Sequence, residues 1–200
     1  MKIGVYGGSF NPPHLGHVRA AQACKQALGL DRVLVIPASI PPHKQLTSSS
    51  ASPEERLALT RLAFENLPGF EVLDLEIRRE GKSYTVDTIR ILQREFGDDY
   101  EFYFICGTDA VADLPTWKYN RELLSACHFI CASRPGNENE IQKSIDYFGE
   151  LGRKKIHFLK TPELAISSTI LRDWIAEKRS VRYLIPDAVI DMIRSNKLYE

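Results

Sequence analysis

The sequence predicts an α/β fold: a doubly wound parallel sheet with helices on both faces and a helical segment at the C-terminal end. Three observations carry this reading. Apolar runs of strand length alternate with stretches of helical periodicity along most of the chain. The runs are apolar at consecutive positions, as strands are when helices cover both faces of a sheet. They also stop at glycine or proline, as "KIGVY" does before Gly7 and "RVLVIP" does at Pro37.

Taken in order, "KIGVY" is the first strand, and "HVRAAQACKQALGL" is a helix by its apolar spacing. "RVLVIP" is a second buried strand. In "SPEERLALTRLAFENLPG", Ser52 sits as N-cap, Pro53 falls in the first turn and Glu55 closes a capping box, so a helix starts there. "FEVLDLEI" reads as extended, "TVDTIRILQREFG" as helical, and "EFYFICG" as a strand ending in glycine. "HFICAS" is another strand and "KIHFL" the last. Two helices close the chain, over 168–178 and 187–196, the second behind Pro186. The order is Rossmann-like, in a single domain over residues 1–200 with about 165–200 as a C-terminal helical subregion. In such sheets ligands bind beyond the carboxyl ends of the strands.

A chain of 200 residues can build one sizeable core and is short for two full domains. Its 44% hydrophobic and 26% charged residues exclude a disordered tail. Lys+Arg and Asp+Glu each number 26, so the formal net charge is zero. That balance argues against nucleic acid or an anionic membrane as main partner, and any anion must be met by a few local groups. A cytoplasmic protein is expected, because the first apolar run is too short for a signal peptide and no run approaches a membrane span. Cys24, Cys106, Cys127 and Cys131 contain no CxxC pair and read as reduced, buried thiols. In "CHFIC" the two cysteines share a strand face too far apart for a disulfide, and His128 takes the other face, which argues against a metal cluster. The sequence leaves a homo-oligomer open.

The chemistry begins in "GGSFNPPHLGH", Gly7 to His17, directly after the first strand. A stiff glycine turn and the N-terminus of the next helix make an anion site from their N–H groups. Neither GxGxxG nor GK[ST] is present, which separates the stretch from the dinucleotide fingerprint and the P-loop. His14 and His17 can both reach an oxygen-rich ligand. As imidazolium donors they would stabilise charge growing on transferring phosphoryl oxygens. One such histidine alone would be read as a solvent-facing side chain. Gly7, Gly8, His14, Gly16 and His17 together favour the anion site.

"GSFNPPHLGH" resembles the HxGH motif of the nucleotidyltransferase α/β-phosphodiesterase superfamily, which includes the class I aminoacyl-tRNA synthetases. The resemblance implies that the histidines bind ATP phosphates and stabilise a pentavalent transition state, with Gly7, Gly8, Ser9 and Phe10 against the nucleotide. Asn11 stands where many members carry Asp.

Four further stretches extend the likeness. "PASIPPHKQL" places Lys44 on a proline-stiffened loop after the second strand; alone it is a solvated charge, but there it can swing onto phosphates. The same "PPHK" stands in nicotinate-mononucleotide adenylyltransferases, which implies substrate contacts for Lys44 and Ser9. In "GKSYTVDTIRIL", Tyr84 and Thr85 begin a helix with Thr85 as N-cap, and free N–H groups there suit a small carboxylate. "SYT-x-DT" is similar to the element that meets the nicotinate carboxylate in those enzymes. In "FICGTDAVADLPTWKY", Gly107 and Asp109 follow a strand, as groups touching a ribose or adenine edge would, and Trp117 can stack on a pyridine ring. Asp113 receives no role. In "ISSTILRDW", Ser167 or Ser168 caps a helix and Arg172 emerges a turn later. "ISST-x-x-R" resembles the second signature of the superfamily, which implies that Ile166, Ser167, Ser168 and Arg172 hold the triphosphate, Arg172 as a charged fork. "SRPG", with Arg134 after a strand, also matches.

The likeness runs through "VRYLIPDAVIDMIRSNKLY" at the end and is closest to the bacterial nicotinate-nucleotide adenylyltransferases. It implies transfer of the adenylyl group of ATP to nicotinate mononucleotide. His14, His17, Lys44 and Arg172 would be the catalytic set, with Mg²⁺ arriving on ATP and no protein metal site. The first signature alone also suits pantetheine-phosphate or glycerol-phosphate nucleotidyl transfer. "SYT" and Trp117 argue against both, because neither substrate carries a pyridine acid. A nucleotide-sensing module without turnover is a further alternative, and an oxidoreductase lacks its GxGxxG.

Overall fold

The computed structural model describes residues 1–40, 50–79, 81–133, 138–161 and 166–200, so Lys44 and Arg134 lie outside the described residues. Among those residues the strands are β1 (Lys2–Gly8), β2 (Arg32–Pro37), β3 (Phe70–Val72), β4 (Glu101–Cys106), β5 (His128–Ser133) and β6 (Ile156–Lys160). They form one sheet in the order β3-β2-β1-β4-β5-β6. The β1–β4, β4–β5 and β5–β6 pairs are parallel, with Ile3 opposite Phe102, Phe104 opposite Phe129 and Phe129 opposite Ile156. The helices are α1 (Leu15–Leu28), α2 (Pro53–Phe64), α3 (Thr85–Phe96), α4 (Thr108–Asp113), α5 (Asn120–Ala126), α6 (Glu138–Phe148), α7 (Glu150–Lys155), α8 (Ser168–Ala176) and α9 (Asp187–Ser195). The doubly wound Rossmann-like reading therefore holds.

The chain divides into two compact units: 1–7, 20–34 and 84–163 in the first, and 8–19, 35–83 and 164–200 in the second. In the first, Ile3, Ile105, Phe129 and Ile130 are fully buried on consecutive-apolar strands, the pattern of a sheet covered on both faces. Helix α3 buries Val86, Ile89 and Leu92, an i, i+3, i+6 stripe. Each such residue contributes roughly 1.5–3 kcal/mol relative to exposure. The four cysteines are buried and free. Burial pushes the Cys24 and Cys127 thiols up to about 12 and Cys131 to about 11, which keeps them unreactive.

In the second unit, α2 starts as the capping box requires. Ser52 Oγ accepts the Glu55 N–H at 3.2 Å, and Glu55 Oε2 accepts the Ser52 N–H at 2.8 Å. Two expectations need correction. "FEVLDLEI" is a strand only over Phe70–Val72; residues after Leu73 turn, and Asp74 there accepts the Arg78 guanidinium at 2.7 Å and the Arg78 N–H at 3.0 Å. The stretches 108–126 and 138–155 also carry helices, α4 to α7, that the apolar pattern did not mark. Among the described residues no helix is long and apolar enough to cross a membrane.

Candidate active site

The second unit holds the Gly8–His17 loop. Strand β1 ends at Gly8, where a Cβ would lie 3.0 Å from the Phe10 ring, so glycine gives that ring room to fold back on the strand end. Phe10 adopts a left-handed backbone, φ 46°, and is 2% exposed, edge-on to His17 at 5.2 Å and to Phe64 at 6.3 Å. The loop then passes through Asn11, Pro12 and Pro13, all buried, into α1.

The histidines lie at the start of α1 with their rings stacked, centroids 3.7 Å apart. Each is oriented by the other's backbone. His14 Nδ1 accepts the His17 N–H at 3.3 Å, and His17 Nδ1 accepts the His14 N–H at 3.2 Å. A nitrogen that accepts a hydrogen bond carries no proton, so both rings hold theirs on Nε2. The result is a stacked pair of imidazoles, 26° between ring planes, each with its proton on Nε2. Burial lowers the His14 pKa to about 4, because a charge there would be stripped of water. The imidazolium expected for His14 is therefore corrected: it is a neutral donor at physiological pH.

The C-terminal signature reaches the same loop. Ser167 is the N-cap of α8 and its hydroxyl accepts the Ile170 N–H at 3.2 Å, which leaves Ser168 inside the first turn. Ser168 Oγ donates to the Pro12 carbonyl at 2.9 Å. One turn on, Arg172 Nη1 donates to the Asn11 carbonyl at 2.7 Å, and Nη2 lies 3.4 Å from Thr169 Oγ1. Ile166, just before the cap, is half-buried. Asn11 Oδ1 accepts the Tyr199 hydroxyl at 2.9 Å and the Ala51 N–H at 3.3 Å, so the neutral amide is an anchor of the loop. The Leu15 N–H is taken by the Leu184 carbonyl at 2.9 Å. Residues more than 150 positions apart in sequence thus hold one loop.

One residue in this arrangement went unread in the sequence. Arg56 is fully buried and donates to the carbonyls of Ser9, Ala38, Ser39 and Ala51. Its place on α2 gives only a partial sign: the buried face is Arg56, Leu59, Thr60, Ala63 and Phe64, an i, i+3, i+4, i+7, i+8 stripe with a cation at its head that no local partner accounts for.

The first unit carries the other predicted residues. Tyr84, not Thr85, is the N-cap of α3: its backbone is extended at φ −81°, ψ 127°, and its carbonyl accepts the Asp87 and Thr88 N–H groups. Neither residue supplies a side-chain cap, and Thr85 is the first helical residue. Beside this terminus the Lys118 ammonium lies 4.6 Å from the Tyr84 ring centroid and 5.2 Å from that of Tyr119. Arg90 fixes α3 to α5, with Nη1 2.9 Å from Asp87 and Nη2 2.6 Å from Glu122. Trp117 is half-buried and packs edge-on against Phe104 at 6.1 Å and Phe129 at 6.2 Å, so part of its surface belongs to the core. Gly107 and Asp109 are exposed at the start of α4, directly after β4, and Gly7 lies against Phe104.

A family model described as cytidylyltransferase-like matches residues 5–173. A protein of Moorella thermoacetica named a probable nicotinate-nucleotide adenylyltransferase is 42% identical, over 99% of this chain and 91% of its own. One of the same name from a Thermoanaerobacter species is 39% identical over 100% of this chain and 95% of its own. Among solved structures, the nicotinic acid mononucleotide adenylyltransferase of Plasmodium falciparum complexed with NaAD superimposes with a TM-score of 0.79. It is 22% identical, and the match covers 99% of this chain and 97% of that one, a likeness of fold.

Proposed function

The chain belongs to the cytidylyltransferase-like family, among its nicotinate-nucleotide adenylyltransferases; from that premise we infer that it joins ATP and nicotinate mononucleotide into deamido-NAD and pyrophosphate. The observation that carries the reading is the convergence of the two signatures on one loop. Arg172 Nη1 and Ser168 Oγ bond the carbonyls of Asn11 and Pro12, three and two residues before His14. A hydroxyl and a guanidinium of the second signature thereby hold the stretch of backbone that carries the first.

A phosphate oxygen of the mononucleotide attacks the α-phosphorus of ATP in line. The new P–O bond forms as the bond from the α-phosphorus to the bridging oxygen breaks, and pyrophosphate leaves with that electron pair. No proton has to move, so the protein supplies positioning and charge compensation. The paired Nε2–H donors of His14 and His17 are aimed at the oxygens on which charge grows. They act as neutral dipoles already in place, with no reorganisation at the moment of reaction. Arg172 adds its guanidinium fork and Lys44 a further positive charge. Ile166, Ser167, Ser168 and Arg134 complete the triphosphate contacts, while Gly7, Gly8, Ser9, Phe10, Gly107 and Asp109 take the rest of ATP. Tyr84, Thr85 and Trp117 meet the pyridine acid, with Lys44 and Ser9 on its phosphate. An acid at the α3 N-terminus faces N–H donors; the corresponding amide lacks the charge and turns its own donors on them.

Among the described residues no group of three or more His, Cys, Asp or Glu could hold a metal ion. The groups on the loop are N–H donors, a set that suits phosphate oxygens and not a hard cation. Mg²⁺ would therefore fit as an ion carried by ATP, where it would neutralise charge on the phosphates. The buried, reduced thiols suit the cytoplasm. The test is His17→Ala. Its kcat should fall by about a hundredfold or more, the scale of a lost transition-state donor. Turnover like that of the wild type would remove the histidine pair from the chemistry.

A further inference from the structure

Arg56 is a cation with 0% exposure, and among the described residues no carboxylate lies within 4.0 Å of it. A buried charge without a counter-ion persists only when other groups satisfy it. Here those groups are backbone carbonyls. Nη1 donates to Ala38 at 2.6 Å and to Ser9 at 2.9 Å, Nη2 to Ser39 at 2.8 Å, and Nε to Ala51 at 3.3 Å. Ser9 follows the end of β1 and Ala38 the end of β2, and the two ends are themselves joined by the Ala38 N–H to the Gly8 carbonyl at 2.9 Å. One guanidinium therefore ties together the segments that leave two strands at their carboxyl ends, where α/β sheets take their ligands.

The direction of those carbonyls matters more than their number. In a planar trans peptide the C=O and the next N–H point opposite ways. Drawing the carbonyls of Ser9, Ala38 and Ser39 inward turns the amides of Phe10, Ser39 and Ile40 away from Arg56. The Ser39 amide accordingly meets Ser83 Oγ at 3.1 Å on the far side. The same loop carries His14 and His17 five and eight residues after Ser9, so any relaxation at Ser9 is passed to the donors that face phosphate.

We propose that Arg56 is a positioning residue for adenylyl transfer, one that sets the amide polarity of the 8–10 and 38–40 segments and thereby the placement of the histidine pair. It touches no substrate. The proposal rests on the nucleotidyl-transfer reading, and the fork is what it needs: a lysine keeps the charge but cannot span acceptors on three segments in one plane.

The experiment compares wild type with Arg56→Lys, checked for a native far-UV spectrum, by steady-state pyrophosphate release with ATP and nicotinate mononucleotide varied separately. A misplacement of the order of an ångström at reacting groups costs about a hundredfold, so kcat should fall by about thirtyfold or more while the KM for the mononucleotide stays within about threefold. A folded Arg56→Lys with kcat within about threefold of wild type, or with loss only in the melting temperature, overturns the proposal. Should the lysine variant not fold, Arg56→Ala is assayed with and without millimolar guanidinium: recovery of kcat supports the role, and absence of recovery overturns it. Were the wild type to release no pyrophosphate at all, the adenylyl-transfer reading would fail by itself. The Arg56 question then passes to the Kd of a non-hydrolysable ATP analogue, where an unchanged value in Arg56→Lys overturns it and at least a tenfold weakening, about 1.4 kcal/mol, sustains it.

Discussion

At the scale of single residues the central point is that burial keeps His14, in the first signature, neutral. His14 is 6% exposed, and burial holds its pKa at about 4 against an ordinary 6.5. The folded state therefore binds this proton less readily than the unfolded chain does. His14 is fully compatible with the fold above about pH 6.5, and stability is lost as pH falls from there toward 4, by up to ~3 kcal/mol. Urea denaturation of wild type and His14→Gln across this range should show a steeper acid loss in the wild type. His128 and His157, also lowered by burial, contribute to both proteins and cancel in the comparison. Parallel profiles would contradict a buried, neutral His14. The sequence made the pair visible, because HxGH puts two imidazoles on the first turn of a helix. It did not reveal their charge, which depends on the burial supplied by the loop around them. Arg56 was hidden for a related reason: "PEERLALT" reads as a solvated helix start, and only the acceptors Ser9, Ala38 and Ser39, far away in sequence, give its charge a reason to be inside.

At the scale of elements, legibility followed the strength of the local signal. Strands apolar on consecutive positions were readable because burial on both faces leaves no polar alternation to blur them. The starts of α2 and α8 were readable because Ser52 and Ser167 each hold a backbone N–H that the helix cannot satisfy itself. Helix α6 was not, since its buried set, Ile141, Ser144 and Phe148, includes a serine and leaves most of the segment polar. Ser144 is inside because its hydroxyl donates to the Val111 carbonyl at 2.7 Å, a partner on α4 that no local pattern announces. Strand β3 spans only three residues, Phe70–Val72. Ser52→Ala removes the acceptor for Glu55 and should cost about 1 kcal/mol in a denaturation experiment. Because Ala51 lies next to it and donates to Asn11 Oδ1, the variant should also weaken ATP binding slightly. Unchanged stability would mean that the box is not holding the helix start.

At the scale of the whole molecule, a chain with 26 basic and 26 acidic residues handles a highly charged nucleotide. With no net field to use, it is proposed to do so with local donors. In the second unit the loop, the α8 signature and the Tyr199 anchor gather those donors around residues 8–17. In the first, the Tyr84 terminus of α3, Lys118 and Trp117 form the neighbourhood proposed for the pyridine acid. The measurement that tests this account most directly is pyrophosphate release from ATP–Mg²⁺ with one acceptor at a time: nicotinate mononucleotide, nicotinamide mononucleotide, phosphopantetheine and glycerol phosphate. The account predicts the highest kcat/KM with nicotinate mononucleotide, a lower value with the amide, and background rates with the other two. Release driven by phosphopantetheine but not by nicotinate mononucleotide, or ATP bound with no release for any acceptor, would contradict it.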